Sequence, residues 1–137
     1  MAPNDFNQQI IDEFRAHQGV VGGPFEGAPV LLLHTRGRKS QQERVNPLVY
    51  QKVDGGWAVF ASFGGAPVNP AWYHNLVATP ATTVEIGADT LDVRAREAQG
   101  PERDTIWARQ KEAMPGFAEY EEKAGDRTIP VLILEPS

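Results

Sequence analysis

The dipeptide Asp54-Gly55 lies between two apolar runs, VNPLVYQ (45–51) and WAVFASF (57–63), and it constrains the fold more than any other stretch. In Val53-Asp54-Gly55-Gly56, aspartate and glycine supply the positive-φ residues that a tight turn needs, so the two runs predict an antiparallel hairpin. A second hairpin is predicted where TTVEI (82–86) and TLDVRAREA (90–98) alternate apolar and polar residues on either side of Gly87-Ala88-Asp89.

The remaining elements fit around these hairpins. Phe6, Ile10, Ile11 and Phe14 recur at helical spacing after Asn4, a good N-cap, and Gly19 ends the pattern, which predicts an amphipathic helix over 5–17. VVGGPFEGAP is too rich in glycine and proline for an element and leads into a buried strand over 29–35. Asn69 reads as an N-cap with Pro70 at the first helical position, opening a two-turn helix that stops before Thr79-Pro80. Gly100-Pro101 opens a charged helix, PERDTIWARQKEAM, whose narrow apolar face is Ile106, Trp107 and Ala113. A second helical piece, FAEYEEKAG, ends at Gly125, and RTIPVLILEP is a sixth strand.

Six short strands, mostly in hairpins, with helices at the edges, predict a mainly β, α+β fold: a closed or nearly closed antiparallel barrel in one domain over 1–137. The strand–helix alternation of a doubly wound sheet is missing. VVGGPFEG follows a helix where a dinucleotide fingerprint must follow a strand, and GRKS lacks the upstream glycine of a phosphate-binding loop. The three histidines are scattered, no HExxH or GxSxG occurs, and the absence of cysteine excludes disulfides and thiolate chemistry. No metal site is expected. If the chain is an enzyme, an organic cofactor carries the reactive atom.

Charge is distributed unevenly. The chain carries a net charge of −5, yet Arg36, Arg38, Lys39 and Arg44 place four of its thirteen basic residues within one short stretch. An acidic chain of this kind is a poor duplex-DNA binder, and the basic residues are not interleaved with aromatics as a single-strand binder requires, so the cluster points to a small anion. No apolar run is long enough to span a membrane and no secretory signal opens the sequence, so the chain reads as cytoplasmic. Its N-terminal amphipathic helix leaves peripheral membrane contact open.

Three segments, GGPFEGAPVLLLHTRGRKSQQERVNPL, WAVFASFGGAPVNPAWYHNLVATPATTVEI and DRTIPVLILEP, closely resemble the deazaflavin-dependent nitroreductase family of actinobacteria. The most specific parts are TRGRKSxxxRVNPL and SxGGxxxNPxWYxNLxAxP. The resemblance implies an FMN-binding-like split β-barrel, noncovalent coenzyme F420 and hydride transfer to an organic acceptor. It assigns Arg38, Lys39 and Arg44 to the cofactor's phosphodiester and polyglutamate tail, with Ser40 as a further cofactor contact. Asn46, Leu48, Ala61, Ser62, Phe63, Gly64 and Gly65 would contact the cofactor, with Leu48 against the ring, and Trp72, Tyr73 and Asn75 would line its site.

Departures from the family narrow the chemistry. Nitroimidazole-activating members carry tyrosines in the substrate wall, whereas this chain has Val49 after Leu48, and Met114 and Phe117 ahead of Tyr120; Tyr50 falls one position late and should face the other way. The acceptor site is therefore expected to be apolar, suited to an enone or quinone, with the proton coming from Tyr120 or from solvent. A binding module for a flavin or tetrapyrrole, or an FMN-using split barrel, is the alternative, and the multiply cationic loop discriminates against a singly phosphorylated ligand.

Overall fold

The computed structural model describes residues 5–22, 27–37, 41–62, 65 and 68–137, with residues 5–7 described by their backbone alone. The elements, in chain order, are α1 (Asp5–Ala16), β1 (Val30–Arg36), β2 (Glu43–Val53), β3 (Gly56–Phe60), α2 (Ala71–Ala78), β4 (Ala81–Ile86), β5 (Asp89–Glu97), α3 (Gly100–Ala113), α4 (Gly116–Ala124) and β6 (Val131–Pro136). Both predicted hairpins form, with Gly55 at φ +79° and Gly87 at φ +58° in their turns. The strands close into a barrel in the order β1-β2-β3-β6-β5-β4, all neighbours antiparallel.

Strand direction gives the barrel two unlike ends. The β2–β3 and β4–β5 turns lie at one end, where the chain after α1 also passes: Gly19 approaches Gly87 so closely that a Cβ on Gly19 would stand 2.8 Å from the Gly87 Cα. The β1–β2 loop, the β3–α2 connection and the α3–α4 excursion all leave from the opposite end.

Alternation assigns the two faces of each strand. Leu31 and Leu33 of β1, Val59 of β3, Val84 of β4, Val93 of β5, and Leu132 and Leu134 of β6 fill the interior, and Trp72 and Leu76 of α2 plug the end opposite the hairpin turns. The alternate residues Ala58, Phe60, Val131 and Ile133 face outward beneath Ile106 and Trp107 of α3 and Phe117 and Ala124 of α4. Both faces of β3 and β6 are therefore covered, which explains why WAVF and VLIL read as unbroken apolar runs.

Helix α1 spends its apolar side on the barrel. Ile10, Ile11 and Phe14 pack with Val30 and Leu32 of β1, so the face that the sequence left open for a membrane surface is covered. Its C-terminus closes with the Gly19 N–H donating to the Phe14 carbonyl (2.8 Å) at φ +97°, a geometry for which glycine is suited. Asn4 lies outside the described residues. No helix among the described residues is long and apolar enough to cross a membrane.

Three local expectations are corrected. Asn69 is not the N-cap of α2: Pro70 holds that position with an extended backbone and no side-chain cap, and the Asn69 Oδ1 instead accepts from Arg127 (2.5 Å). The third strand ends at Phe60: the Ala61 N–H still donates to the Pro130 carbonyl (3.0 Å) in the β3–β6 register, but proline has no N–H to complete the pair and the ladder stops. On α3 the residue accompanying Ile106 and Trp107 inward is Gln110, and Ala113 is exposed. Gln110 is buried because the Gln51 Nε2 donates to its Oε1 at 3.2 Å, so its polar group is satisfied across the β2–α3 interface.

Candidate functional site

Strand β2 serves two ladders in turn. Residues Glu43–Val49 pair with β1, and Tyr50–Val53 pair with β3. Among the described residues the β2–β3 ladder stops at Tyr50↔Val59, so the β3-facing edge of Glu43–Val49 carries no strand partner. Pro47, which has no N–H to donate, sits within this stretch opposite Leu32 of β1. The wall of the barrel is split here, at the end where the long connections emerge.

Candidate residues gather on the two sides of this split. On β2, Arg44, Asn46 and Leu48 share one face by strand alternation; Arg44 is exposed, Asn46 half-buried, and Leu48 packs on the interior cluster that includes Ala61 and Trp72. Ala61 and Ser62 lie on the other side, at the exit of β3. Arg38, Lys39, Ser40, Phe63 and Gly64 lie outside the described residues. The stem of the basic loop is closed by Gly37 N–H to the Gln42 carbonyl (2.9 Å) and by the Arg36 Nη1 to the Gln41 carbonyl (3.2 Å).

Helix α2 contributes in three different ways. Trp72 is buried in the barrel core. Asn75 is buried and donates from Nδ2 to the Thr35 Oγ1 (3.4 Å), tying the helix to the end of β1. Tyr73 donates its hydroxyl to the Glu97 Oε1 (2.6 Å); burial, then that bond and the carboxylate charge, push its pKa up to about 12, so it stays protonated. Beside this helix, where β1 and β4 pair only at Leu32↔Glu85 and Leu33↔Val84, the Thr82 hydroxyl donates to the His34 carbonyl. A cleft of about 190 Å³ opens there, lined by Thr35, Arg36, Thr79, Thr82 and Thr83 among others.

The α3–α4 pair forms the outer wall. Val49, Met114, Phe117 and Tyr120 meet in one cluster around Phe60 and Trp107, and Tyr50 points to the barrel interior, as strand alternation required. Tyr120 lies edge-on to Phe117 with ring centroids 5.2 Å apart. Leu48 and Val49, being neighbours on a strand, present these two environments on opposite faces of β2, so the expected ring contact and the expected acceptor wall flank the split. Gly65 joins the loop to this wall: a Cβ there would lie 2.6 Å from the Lys123 Cβ and 2.9 Å from the Tyr120 carbonyl oxygen. Its N–H donates to the Ser62 carbonyl (2.9 Å).

Sequence reasoning missed Arg127. It donates from Nη1 to the Ala61 carbonyl (3.0 Å) and the Asn69 Oδ1, and from Nη2 to the Ser62 carbonyl (2.7 Å). Burial pulls its pKa below the usual arginine range. The signal was present, an arginine beside the IPV of the sixth strand, but nothing local says that it reaches back more than fifty residues.

The residues bordering the split, cationic Arg44, apolar Leu48 and small Ala61 at an unpaired strand edge, suit a flat group with an anionic end; Arg36 and the threonines line the separate β1–β4 cleft together with Glu43. A family model described as F420H(2)-dependent quinone reductase matches residues 7–136. The chain belongs to that family. It is 34% identical over 125 residues to the F420H(2)-dependent quinone reductase Rv1261c of Mycobacterium tuberculosis (strain ATCC 25618 / H37Rv), covering 88% of this chain and 83% of the relative. A solved F420-H2 dependent reductase, FDR-A, is 44% identical with a TM-score of 0.70, covering 78% of this chain and 94% of that one. A further solved structure, described as a domain-swapped dimer, is 38% identical with a TM-score of 0.72 and covers 98% of this chain and 100% of its own. The chain is accordingly an F420H2-dependent oxidoreductase of split-barrel fold, with coenzyme F420 as its cofactor.

Proposed function

We propose that the cofactor lies along the β2–β3 split, with its anionic tail toward Arg44 and the basic loop, and that the acceptor is a hydrophobic quinone or enone taken against the α4 side. The observation that carries this reading is the unpaired edge of Glu43–Val49, flanked by Ala61 and Ser62 and open at the cationic end of the barrel. When bound, reduced F420 supplies a hydride.

The chain's own residues bind, orient and shield. Arg44, joined by Arg38, Lys39 and Ser40, offers charge-assisted donors to phosphate and carboxylates. Leu48 backs the ring, Asn46 offers an amide beside it, and the backbone of Ala61, Ser62 and Gly65 borders its far side, with Phe63 and Gly64 as further cofactor contacts on the family resemblance. Trp72 and Asn75 act from behind, holding the barrel end and β1 in place. Tyr73 lines the periphery, its hydroxyl committed to Glu97. Val49, Met114 and Phe117 exclude water from the acceptor, and Tyr120 is the polar group positioned to hand it a proton.

Apolar lining rewards burial at roughly 25 cal/mol per Å² but discriminates little by hydrogen bonds. Reduction of a hydrophobic quinone is therefore expected to outpace that of a nitroimidazole. Titration of the protein with F420 and, separately, FMN should give tight binding of F420 alone, and anaerobic stopped-flow reoxidation of F420H2 should rank the acceptors. Tyr120→Phe should lower turnover if its hydroxyl supplies the proton. Tight FMN binding, or faster nitroimidazole than quinone reduction, would overturn the reading.

A further inference from the structure

The split has two banks, and β1 fixes only one of them. Glu43–Val49 is held by its ladder with β1, whereas the opposite bank, Ala61 and Ser62, lies past the last β3 residue and keeps one backbone bond to the sheet, the Ala61 N–H to the Pro130 carbonyl (3.0 Å). Beyond that bond, what fixes this bank is Arg127, which follows α4 and is anchored there by its own N–H to the Ala124 carbonyl (3.2 Å). Its guanidinium meets three neutral oxygens at once: two carbonyls at the start of the connection and the Asn69 side chain at its end, immediately before the N-cap of α2. A planar fork can address acceptors on two sides in fixed directions; a lysine ammonium lacks that geometry.

The link extends one step further. The Ser62 carbonyl that accepts from Nη2 also accepts the Gly65 N–H, and Gly65 is in contact with Tyr120. One side chain thus sets the direction of the Ser62 carbonyl, the distance between the two ends of the connection, and the seat of Gly65 on α4.

We propose that Arg127 is a positioning residue for the cofactor site: without touching cofactor or acceptor, it holds Ala61, Ser62 and Asn69 so that the far bank of the split stays at a fixed distance from β2. This inference rests on the cofactor placement proposed above. It assigns to Arg127 a role in affinity rather than in the chemical step.

The test compares wild type with Arg127→Lys, which keeps the charge and loses the fork, and with Asn69→Ala, which frees one end of the connection and leaves the carbonyl bonds intact. In Arg127→Lys, exchange of the Gly65 amide, read by NMR without cofactor, should accelerate about tenfold or more, while Val59 and Leu132 in the barrel keep their protection. Its F420 dissociation constant should rise about tenfold, with turnover at saturating F420 within about twofold of wild type, and Asn69→Ala should change affinity in the same direction by about threefold. Unchanged Gly65 exchange, or acceleration shared equally by Val59 and Leu132, would overturn the role and leave Arg127 a general stabiliser. Wild type that fails to bind F420 would remove the proposed function itself, whereas wild type and Arg127→Lys that bind equally well would remove this role alone.

Discussion

Replacing Gly65 by alanine separates two costs that the structure lets one count. At φ +84° an L side chain costs roughly 1 kcal/mol. The added Cβ also meets the Lys123 Cβ at 2.6 Å and the Tyr120 carbonyl oxygen at 2.9 Å. The second neighbour is helix backbone and cannot rotate away, so overpacking adds about 1–3 kcal/mol. Gly55 supplies the control: its φ is +79°, but a Cβ there would meet nothing within 4 Å. For a chain of 137 residues, an unfolding entropy of about 2.1 cal/mol/K per residue makes 1 kcal/mol worth about 3–4 °C. Gly65→Ala should therefore lower Tm by about 7–14 °C and Gly55→Ala by about 3–4 °C, measured side by side by circular dichroism. The first variant should also bind F420 more weakly, because relief of the clash moves the connection that borders the split; the second turn lies at the far end of the barrel. Equal Tm losses in the two variants would refute the claim that the seat on α4 requires glycine.

Other substitutions probe the remaining parts. Arg44→Ala should weaken F420 about three- to fivefold, as an exposed ionic contact does, and leave a tail-less deazaflavin unaffected in fluorescence titrations. The Arg15 fork holds the Glu85 carboxyl below its usual range, against the opposing effect of burial, and His34 adds to that lowering. A depressed folded-state pKa contributes stability that is complete above the unfolded value, about 4.3, and is lost as pH falls through the folded one; the urea-stability gap between wild type and Glu85→Gln should be constant near neutrality and shrink below about pH 4. Trp72→Ala should cost about 3–5 kcal/mol in urea unfolding, because the ring plugs the barrel.

Sequence and structure agree where the information is local. Asp54-Gly55 and Gly87-Ala88 fix their hairpins within four residues, and Gly19 closes α1 through a bond five residues long. The family motifs singled out Arg44, Asn46, Leu48, Ala61 and Ser62 in two contiguous stretches, and these described residues lie along the two sides of the split. What could not be read is the reach of side chains across the barrel. Asn69 looks like a helix cap because caps are local, and only the fold reveals that Arg127 takes its oxygen. Trp72 and Tyr73 are adjacent in sequence, yet one enters the core and the other meets Glu97 on β5, a divergence set by helical rotation against a barrel end whose position no local pattern encodes. The change of ladder partners within β2 is equally silent, except that Pro47 hints that one strand edge there needs no N–H.

The position of β6 between β3 and β5 has a consequence for biosynthesis. Val131–Pro136 is the sixth strand to leave the ribosome but a central stave of the barrel, pairing β3 across about seventy residues. Until it emerges, β3 and β5 each present an unsatisfied edge, and Val59 and Val93 lack part of their interior packing. Barrel closure thus waits for β6 and rests on slow, nonlocal pairing. Such a nascent chain is open to aggregation or to capture of another copy's strand, and it would gain from a chaperone that shields these edges until β6 has paired.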